Sequence, residues 1–578
     1  MKEKMTIKNL KKVYNYTKPY KKFLFIYILF VPILSAISII VPIFTAKQLI
    51  YVNDSLYNQL FNATIIILIL ELCRNVARYF AHQSIMIYFR ESMRILKMRS
   101  LKAVLNIKNK SLDSISSGVI IDRVNKDCNR LADIIPNIID NLLNILTNFG
   151  VIFTIFFINK ILFFYLLAGS IIVFIFKNAR ISKWFEFDKK LRKQSEKVTS
   201  FISELIRGIR DIKVLNANEN FLNEAEKRIN EHNEAVYVGR RSLRRFDLVT
   251  GSIQDILNFT FVVIGIILLK NELVSISGFV TIYLYKDRIY NMFNFYTILQ
   301  ESFQDFNLSS HRVFEIIDGD SYERETFGKK VLKKAYGDFE FKNVNFGYKE
   351  DIPVLKNVNF KVEANTTVAF VGKSGTGKTT IFSLLSKLYE PDSGVITIDD
   401  IDINELTEDS IRGNMTIINQ APYIFNMSIY DNLKLVNPKA TKKEIREACK
   451  LACLEDYINT LPDKYDTIVG EGGITLSGGQ KQRLAIARAL IQKTEIILFD
   501  EATSALDNET QDLIQEAINN MKNEYTILII AHRFSTVINS DKIIYMEDGT
   551  IKAEGTHKEL LKKSKGYKKL YELELKNK

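Results

Sequence analysis

The sequence predicts an α-helical membrane domain followed by an α/β domain, and three observations carry that prediction. Up to Thr297 the chain holds apolar runs long enough to cross a bilayer. Lys and Arg gather on the flanks of those runs. After Gly337 the pattern changes to short strands separated by turns rich in Gly and Asp.

At 578 residues the chain exceeds what a single hydrophobic core supports, so two or more domains are expected. Hydrophobic residues make up 47% and charged residues 25%, an ordinary globular average that hides the split between the halves. The formal net charge of +13 suits either nucleic-acid binding or the cytosolic flanks of membrane helices. The position of the charge favours the second reading: Lys2, Lys4, Lys8, Lys11, Lys12, Lys18, Lys21 and Lys22 all precede the first apolar run. Cys73, Cys128, Cys449 and Cys453 form neither a zinc-ligand spacing with the histidines nor a disulfide framework, which suits a reducing cytosol. Cys449 and Cys453 share a helical face and read as packing residues.

Residues 23–46 are uncharged over a bilayer-spanning length and no small-residue cleavage site closes a shorter core, so this run reads as a membrane helix, not a cleaved leader. Six spans are predicted, at residues 23–50, 56–81, 134–158, 161–176, 247–269 and 273–297. Tight turns fall at Asn159–Lys160 and at 270–272. The connections after the second and fourth spans are long and basic, with Arg90, Arg94, Lys97 and Arg99 in one and Lys177, Arg180, Lys189 and Lys190 in the other. Those after the first, third and fifth are short and carry almost no Lys or Arg, which orients both termini and both long connections toward the cytosol. Helical spacing persists through the long connections (Ile95, Leu96, Met98, Leu101; Val198, Phe201, Ile202, Leu205), so the spanning helices are expected to extend well into the cytosol. Residues 1–317 are assigned to the membrane domain, 318–337 to a Lys-rich linker and 338–578 to the α/β domain.

In that second domain the apolar strand 367–371 runs directly into Gly372-Lys373-Ser374-Gly375-Thr376-Gly377-Lys378-Thr379, which fits GxxxxGK[ST]. The glycines Gly372, Gly375 and Gly377 let backbone N–H groups of the loop, Ser374 included, curl around phosphate. Lys378 brings a point charge to the outer phosphates, and the Thr379 hydroxyl is a Mg²⁺ ligand. The helix that opens with Thr380 points its positive end at the same anion. A second apolar strand, 496–500, ends in Asp500, a carboxylate where Mg²⁺ needs one, and Glu501 follows, placed to orient and deprotonate an attacking water. His532 follows a third apolar strand, 526–531, within reach of a terminal phosphate. A strand-end acid is often a cap and a lone histidine is usually structural, so the order and spacing of these groups carry the argument.

Leu476-Ser477-Gly478-Gly479-Gln480 matches the signature sequence of ABC (ATP-binding-cassette) ATPases, and with the phosphate loop it stands in the order usual for that family. The chain resembles the exporter-type half-transporters, six membrane helices with long cytosolic extensions followed by an α/β P-loop ABC ATPase. The resemblance implies ATP and Mg²⁺ as cofactors, with Tyr348 stacking on adenine. It implies Gln420 as a Mg²⁺ ligand beside Thr379 and Asp500 that also links the nucleotide site to the membrane domain, with Glu501, Gln420 and His532 catalytic. Residues 504–507 would touch the opposing subunit, and Ser477, Gly479 and Gln480 would contact ATP bound to that subunit. Residues 117–123 and 213–220 fall where such exporters carry coupling helices. The sequence departs from the family at Gly472, where an arginine usually follows the acid Glu471.

The recognised positions are intact in this chain, which permits a homodimer and leaves a heterodimer open. Glu71, Arg74, Arg78 and His82 line one helical face within the second span, and Asp140, Asp255, Lys286, Asp287 and Arg288 are further intramembrane charges. Their signs balance, so they favour neither an anionic nor a cationic cargo. The expected protein is a multi-pass component of a cell membrane, read as a bacterial plasma membrane, exporting or flipping an amphipathic lipid, peptide or drug. Its partners are a second half-transporter and the bilayer, with no nucleic acid. Two alternatives stay open: an exporter-shaped importer of a metal chelate, and a soluble ABC ATPase acting on nucleic acid, which the six spans oppose.

Overall fold

The structure, a computed structural model, describes residues 2–113, 115, 117–319, 322–349, 352–470, 473–500, 508–531 and 533–576. It divides into two compact units. The first comprises Met1–Leu105 and Ser117–Ser321, the second Asn106–Ser116 and Tyr322–Lys578.

The first unit is helical. Among the described residues, five helices are long and apolar enough to cross a membrane, within Ile7–Asn53, Tyr57–Leu105, Gly118–Ile158, Lys160–Asp188 and Asn218–Lys270. Exposed rings such as Phe149, Phe153, Phe157 and Phe164 line their outer faces, a surface that suits lipid and would be costly in water. Inside, Val151, Ile155, Leu162, Phe261, Tyr285 and Tyr290 form one core and Leu96, Leu131, Phe306 and Phe314 another. Small residues let the helices close: a Cβ on Gly265 would sit 2.0 Å from the Phe279 ring, so only glycine admits that ring at this point.

The turns follow local chemistry. Asn159 alone separates Cys128–Ile158 from the helix that begins at Lys160, and its side chain accepts the Leu162 N–H at 3.0 Å, a cap for an otherwise orphaned donor. Ser275 caps the helix Ile276–Tyr290 in the same way, accepting from Gly278 N at 3.1 Å. The predicted sixth span is interrupted. Its helix stops at Tyr290, a turn occupies residues 291–293, and a new helix runs over Asn294–Asp318. Polar groups gather at the break: Asn291 folds its amide back onto the Asp287 carbonyl at 2.8 Å, and Lys177 donates to Asn294 at 3.1 Å. Of the intramembrane charges, Arg74 pairs with Glu71 one turn away, Asp140 accepts from the Tyr27 hydroxyl at 2.6 Å, and Lys286 lies 4.2 Å from the centre of the Tyr283 ring and 3.2 Å from Asp287.

Among the described residues the second unit has twelve strands: β1 (Phe339–Phe346), β2 (Leu355–Val362), β3 (Thr367–Val371), β4 (Ser393–Ile398), β5 (Ile401–Asp402), β6 (Met415–Ile418), β7 (Met427–Ser428), β8 (Ile468–Val469), β9 (Ile496–Asp500), β10 (Thr526–Ile530), β11 (Lys542–Glu547) and β12 (Thr550–Gly555). They form an antiparallel sheet β2-β1-β4-β5, a six-stranded sheet β12-β11-β3-β10-β9-β6 and the ribbon β7-β8. The interior of the six-stranded sheet is parallel and covered on both faces. Val368 and Phe370 pack toward the antiparallel sheet and the helix Lys378–Leu385, whereas Ala369 and Val371 pack toward the helices Gly478–Gln492 and Asn508–Met521. This two-sided burial explains why β3, β9 and β10 read as unbroken apolar runs instead of alternating ones.

A short stretch of the first half of the chain belongs to this unit. Ile107, 2% exposed, bridges Arg324, and Lys108 N donates to the Glu323 carbonyl at 2.8 Å. The helix Asn109–Leu112 follows, and the Tyr389 hydroxyl donates to Asp113 at 2.6 Å. The segment that joins the α/β fold therefore lies a few residues before 117–123, where the sequence reading put the first coupling helix; the helix Ser117–Asp122 falls in the first unit. The helical spacing that continues past Leu101 concealed the change.

Candidate nucleotide site

Strand register brings the site together. β3, β10, β9 and β6 lie side by side and parallel, with Phe370 opposite Ile530, Ile530 opposite Asp500, and Ile418 opposite Phe499. The phosphate loop, Asp500 and Gln420 thus leave the sheet from one edge, the carboxyl end where open α/β sheets bind ligands.

The loop at the end of β3 has the geometry that its glycines permit. Gly375 and Gly377 take φ values of +81° and +92°, a region open to glycine at little cost. Gly372 passes so close to β11 that a Cβ would meet the Met546 carbonyl at 2.4 Å, while the space over Gly375 is open. Ser374 is exposed on the loop. Thr376 donates back to the Lys373 carbonyl at 2.9 Å. Lys378, 5% exposed, extends its ammonium along the loop to the Gly372 and Lys373 carbonyls, both at 2.9 Å. A buried cation held by carbonyls at the rim of this loop is a ready partner for phosphate.

Thr379 and Asp500 meet: the hydroxyl donates to the carboxylate at 3.1 Å. Two hard oxygen donors from different elements, side by side next to a phosphate loop, fit Mg²⁺. Thr380 is buried in the first turn of Lys378–Leu385, and its hydroxyl lies 3.3 Å from that of Tyr348. Tyr348 is 42% exposed, which leaves it accessible to a base, while Phe346 and Tyr389 brace its ring edge-on at 5.0 and 5.1 Å. Burial, and next the Asp113 carboxylate, hold the Tyr389 phenol well above its usual pKa, so it stays a donor. Gln420 is exposed two residues past β6, and its carbonyl accepts from the Gln482 side chain at 3.1 Å.

The signature residues stand on a different element. Ser477 is the N-cap of Gly478–Gln492, its hydroxyl accepting from Gln480 N at 3.3 Å while the Gln480 side chain accepts from Ser477 N at 2.8 Å. This reciprocal capping box fixes the turn, leaves Ser477 and Gly478 exposed, and buries Gly479. Glu501, His532, residues 504–507, Glu471 and Gly472 lie outside the described residues.

Three residues that the sequence reading did not single out shape this region. Tyr389 braces Tyr348. Asn432, fully buried, holds the chain after Gln420, donating to the carbonyls of Phe425 and Ser428 at 2.9 and 3.0 Å and accepting from Phe425 N at 3.1 Å. Arg488 donates to the Tyr423 and Asn432 carbonyls at 2.9 and 3.0 Å. An asparagine followed by alternating apolar residues carries no local signal of such a role.

Comparison with known proteins agrees with this geometry. Residues 24–287 match the ABC transporter transmembrane region, and residues 355–504 match the ABC transporter domain. The chain belongs to the ABC transporter family. It is also similar to the ATP-dependent lipid A-core flippases of Escherichia coli (strain K12) and Shigella flexneri, 40% identical to each over 280 residues, 48% of this chain and 48% of each flippase. The match spans about half the length of these curated relatives. Membership of this ABC family carries ATP binding with it, and the apolar helices of the first unit are its membrane-spanning part.

Proposed function

We propose that this ABC transporter is one half of an ATP-driven exporter, which hydrolyses ATP between two such chains and moves an amphipathic molecule across or between membrane leaflets. The Thr379–Asp500 contact beside the buried Lys378 carries the hydrolytic part of this reading. In the mechanism, Tyr348 stacks on adenine, and the loop from Gly372 to Thr379 with Thr380 wraps the phosphates. Thr379, Asp500 and Gln420 would hold Mg²⁺, which neutralises charge between the outer phosphates when bound. Glu501 accepts a proton from water as its oxygen attacks the terminal phosphorus, and the bond to the ADP oxygen breaks, leaving ADP and phosphate. His532 donates a hydrogen bond to the terminal phosphate. Ser477, Gly479 and Gln480 contact the ATP of the partner, so each site is completed by a second chain. We keep 1–317 and 338–578 as the two functional domains joined by 318–337, with both termini cytosolic.

The similarity to lipid flippases and the exposed apolar helices support an amphipathic cargo; a homodimer remains the simplest assembly. The test is transport in inside-out vesicles carrying wild-type protein or the Glu501→Gln variant. ATP-dependent uptake by the wild type and none by the variant is the expected result. Uptake into right-side-out cells alone would establish an importer, and near-normal hydrolysis by Glu501→Gln would remove that residue from its role.

A further inference from the structure

The helix Asn218–Lys270 carries four arginines within six residues, Arg240, Arg241, Arg244 and Arg245, just before its apolar stretch opens at Leu248. Arginine on the flank of a membrane span is ordinary; the surroundings of these four are not. All four are exposed, and none has a hydrogen-bond or ion-pair partner among the described residues. The acids nearby are engaged or out of reach. Asp247 is held by Arg180 of the helix Lys160–Arg207 at 2.6 Å, and Glu224 pairs with Arg228 at 2.7 Å. Glu234 lies six residues from Arg240, about 9 Å along the axis.

Helical geometry sorts this element into two faces. Gly239, Leu243 and Thr250 are buried, and Gly239 presses so closely on the Phe187 ring that a side chain there would collide with it. Tyr237, Arg240, Arg241, Arg244 and Leu248 recur at the spacing of the opposite face. Among the described residues Asn233, Val236, Tyr237, Arg240, Arg241 and Arg244 line an open groove of about 560 Å³, a size usual for small-ligand sites. Farther along, the same face continues as Leu248, Phe259 and Ile266, all exposed. Asp255 shares it, but eleven residues past Arg244 it sits about 16 Å deeper.

Depth decides what such a face meets. At 1.5 Å per residue, Arg245 and Arg240 stand about 5 and 12 Å outside the start of the apolar stretch. The headgroup layer on each side of a bilayer is roughly 5–7 Å deep. Arg244 and Arg245 therefore stand within it, and the length of an arginine side chain brings Arg240 and Arg241 to its edge. Arg240 with Arg244, and Arg241 with Arg245, are like charges one turn apart, which repel. An anion between them removes that penalty, and a guanidinium offers paired donors in a plane that matches a phosphate.

We propose that Arg240, Arg241 and Arg244 bind the headgroup phosphate of an anionic phospholipid in the leaflet that this helix enters first, with the acyl chains along Leu248 and Phe259. Binding there does not depend on which molecule the protein transports.

The test is native mass spectrometry of the full chain in detergent, titrated with dioleoyl phosphatidylglycerol and, separately, with dioleoyl phosphatidylcholine. Affinity is read from the first bound lipid, with glycerol 3-phosphate as a soluble competitor. Three triple variants are compared with the wild type. One is Arg240→Gln/Arg241→Gln/Arg244→Gln, and the second changes the same positions to lysine. The third, Lys18→Gln/Lys21→Gln/Lys22→Gln, removes equal charge from exposed residues that flank the first span. The wild type is expected to prefer phosphatidylglycerol at least about ten-fold, and the arginine-to-glutamine triple to bind it about ten-fold more weakly or worse. The lysine triple should lose about three-fold, because the charge remains and the planar fork is gone. Lys18→Gln/Lys21→Gln/Lys22→Gln should stay within about two-fold of the wild type, since its charges lie outside the groove. The proposal would be overturned by equal affinity for both lipids, by undiminished binding in the arginine-to-glutamine triple, or by wild-type affinity in the lysine triple. It would equally be overturned by the same loss in the Lys18, Lys21 and Lys22 variant, which would mean diffuse charge. Full displacement by glycerol 3-phosphate would make the ligand a soluble phosphate and overturn it too. Should the arginine-to-glutamine triple not fold, Arg241→Glu alone is expected to weaken phosphatidylglycerol binding at least about three-fold, and wild-type affinity there counts against the proposal in the same way.

Discussion

Thr379 and Asp500 are 121 residues apart in sequence, yet the hydroxyl of one donates to the carboxylate of the other at 3.1 Å. Two independent structural rules put them there. Thr379 is held one residue into a helix by the glycine turn before it, and Asp500 is held at the end of β9 by its register with β10. If this pair is the Mg²⁺ seat, Asp500→Asn should leave metal-free ATP binding within about three-fold of wild type and remove the tightening that Mg²⁺ brings. Calorimetric titration of ATP with and without Mg²⁺ checks it; tightening that survives in the variant would place the ion elsewhere.

The adenine platform yields a graded series. Tyr348→Phe keeps the ring and should bind ATP almost as wild type, whereas Tyr348→Ala should weaken it about ten-fold through lost stacking. Tyr389→Ala leaves Tyr348 in place but removes its edge-on brace and the hydrogen bond to Asp113. A loss between the other two is expected, read by fluorescence of a nucleotide analogue. Equal binding by Tyr348→Ala and wild type would separate the ring from the base.

The parts of this architecture that were legible in the sequence are those set by short-range chemistry. Asn159 announces its turn because it can cap the following helix, and the phosphate loop announces itself because glycines and a lysine must fall at fixed spacing after a strand. The break at residues 291–293 was not legible, since Asn291 and Asn294 become a polar cluster only when Lys177 arrives from a helix more than 100 residues earlier. The affiliation of Ile107 and Lys108 with the second unit is hidden for the same reason: their partners are Glu323, Arg324 and Glu390. Tyr389 likewise acquires meaning from Tyr348 and Asp113, both far away in the chain, whereas Asn432 bonds backbone groups only four to seven residues away and no side-chain pattern there marks it as buried.

Asn432 offers a direct measure of such hidden structure. Its amide is buried and engages backbone groups of Phe425, Met427 and Ser428. Replacing it with alanine strands those groups away from water, so Asn432→Ala should destabilise the second unit by about 2–4 kcal/mol. Thermal melts of the full chain in detergent would register this as a lower first transition, and ATP should partly restore it by mass action. An unchanged melt would mean that water satisfies the freed groups.

His557 is one group through which acid is expected to destabilise the second unit. Burial lowers its pKa beneath the ordinary value of 6.5, so the folded chain resists protonation there. The unfolded chain, with the ordinary value, binds the proton first as pH falls. Below 6.5 the unfolded state therefore holds more protons than the folded one, and stability must decline with acidification through that interval while staying level above it. The neutral ring also shares its Nδ1 hydrogen bond with Tyr567 and stacks edge-on against Tyr571, so the charge would arise beside two rings of the helix Lys565–Lys576. Unfolding midpoints of the wild type should fall between pH 7.5 and pH 5.5, and His557→Gln, which keeps a hydrogen-bonding group but does not titrate, should flatten part of that slope. A slope identical in both proteins would assign the acid sensitivity to other groups and leave His557 a packing residue.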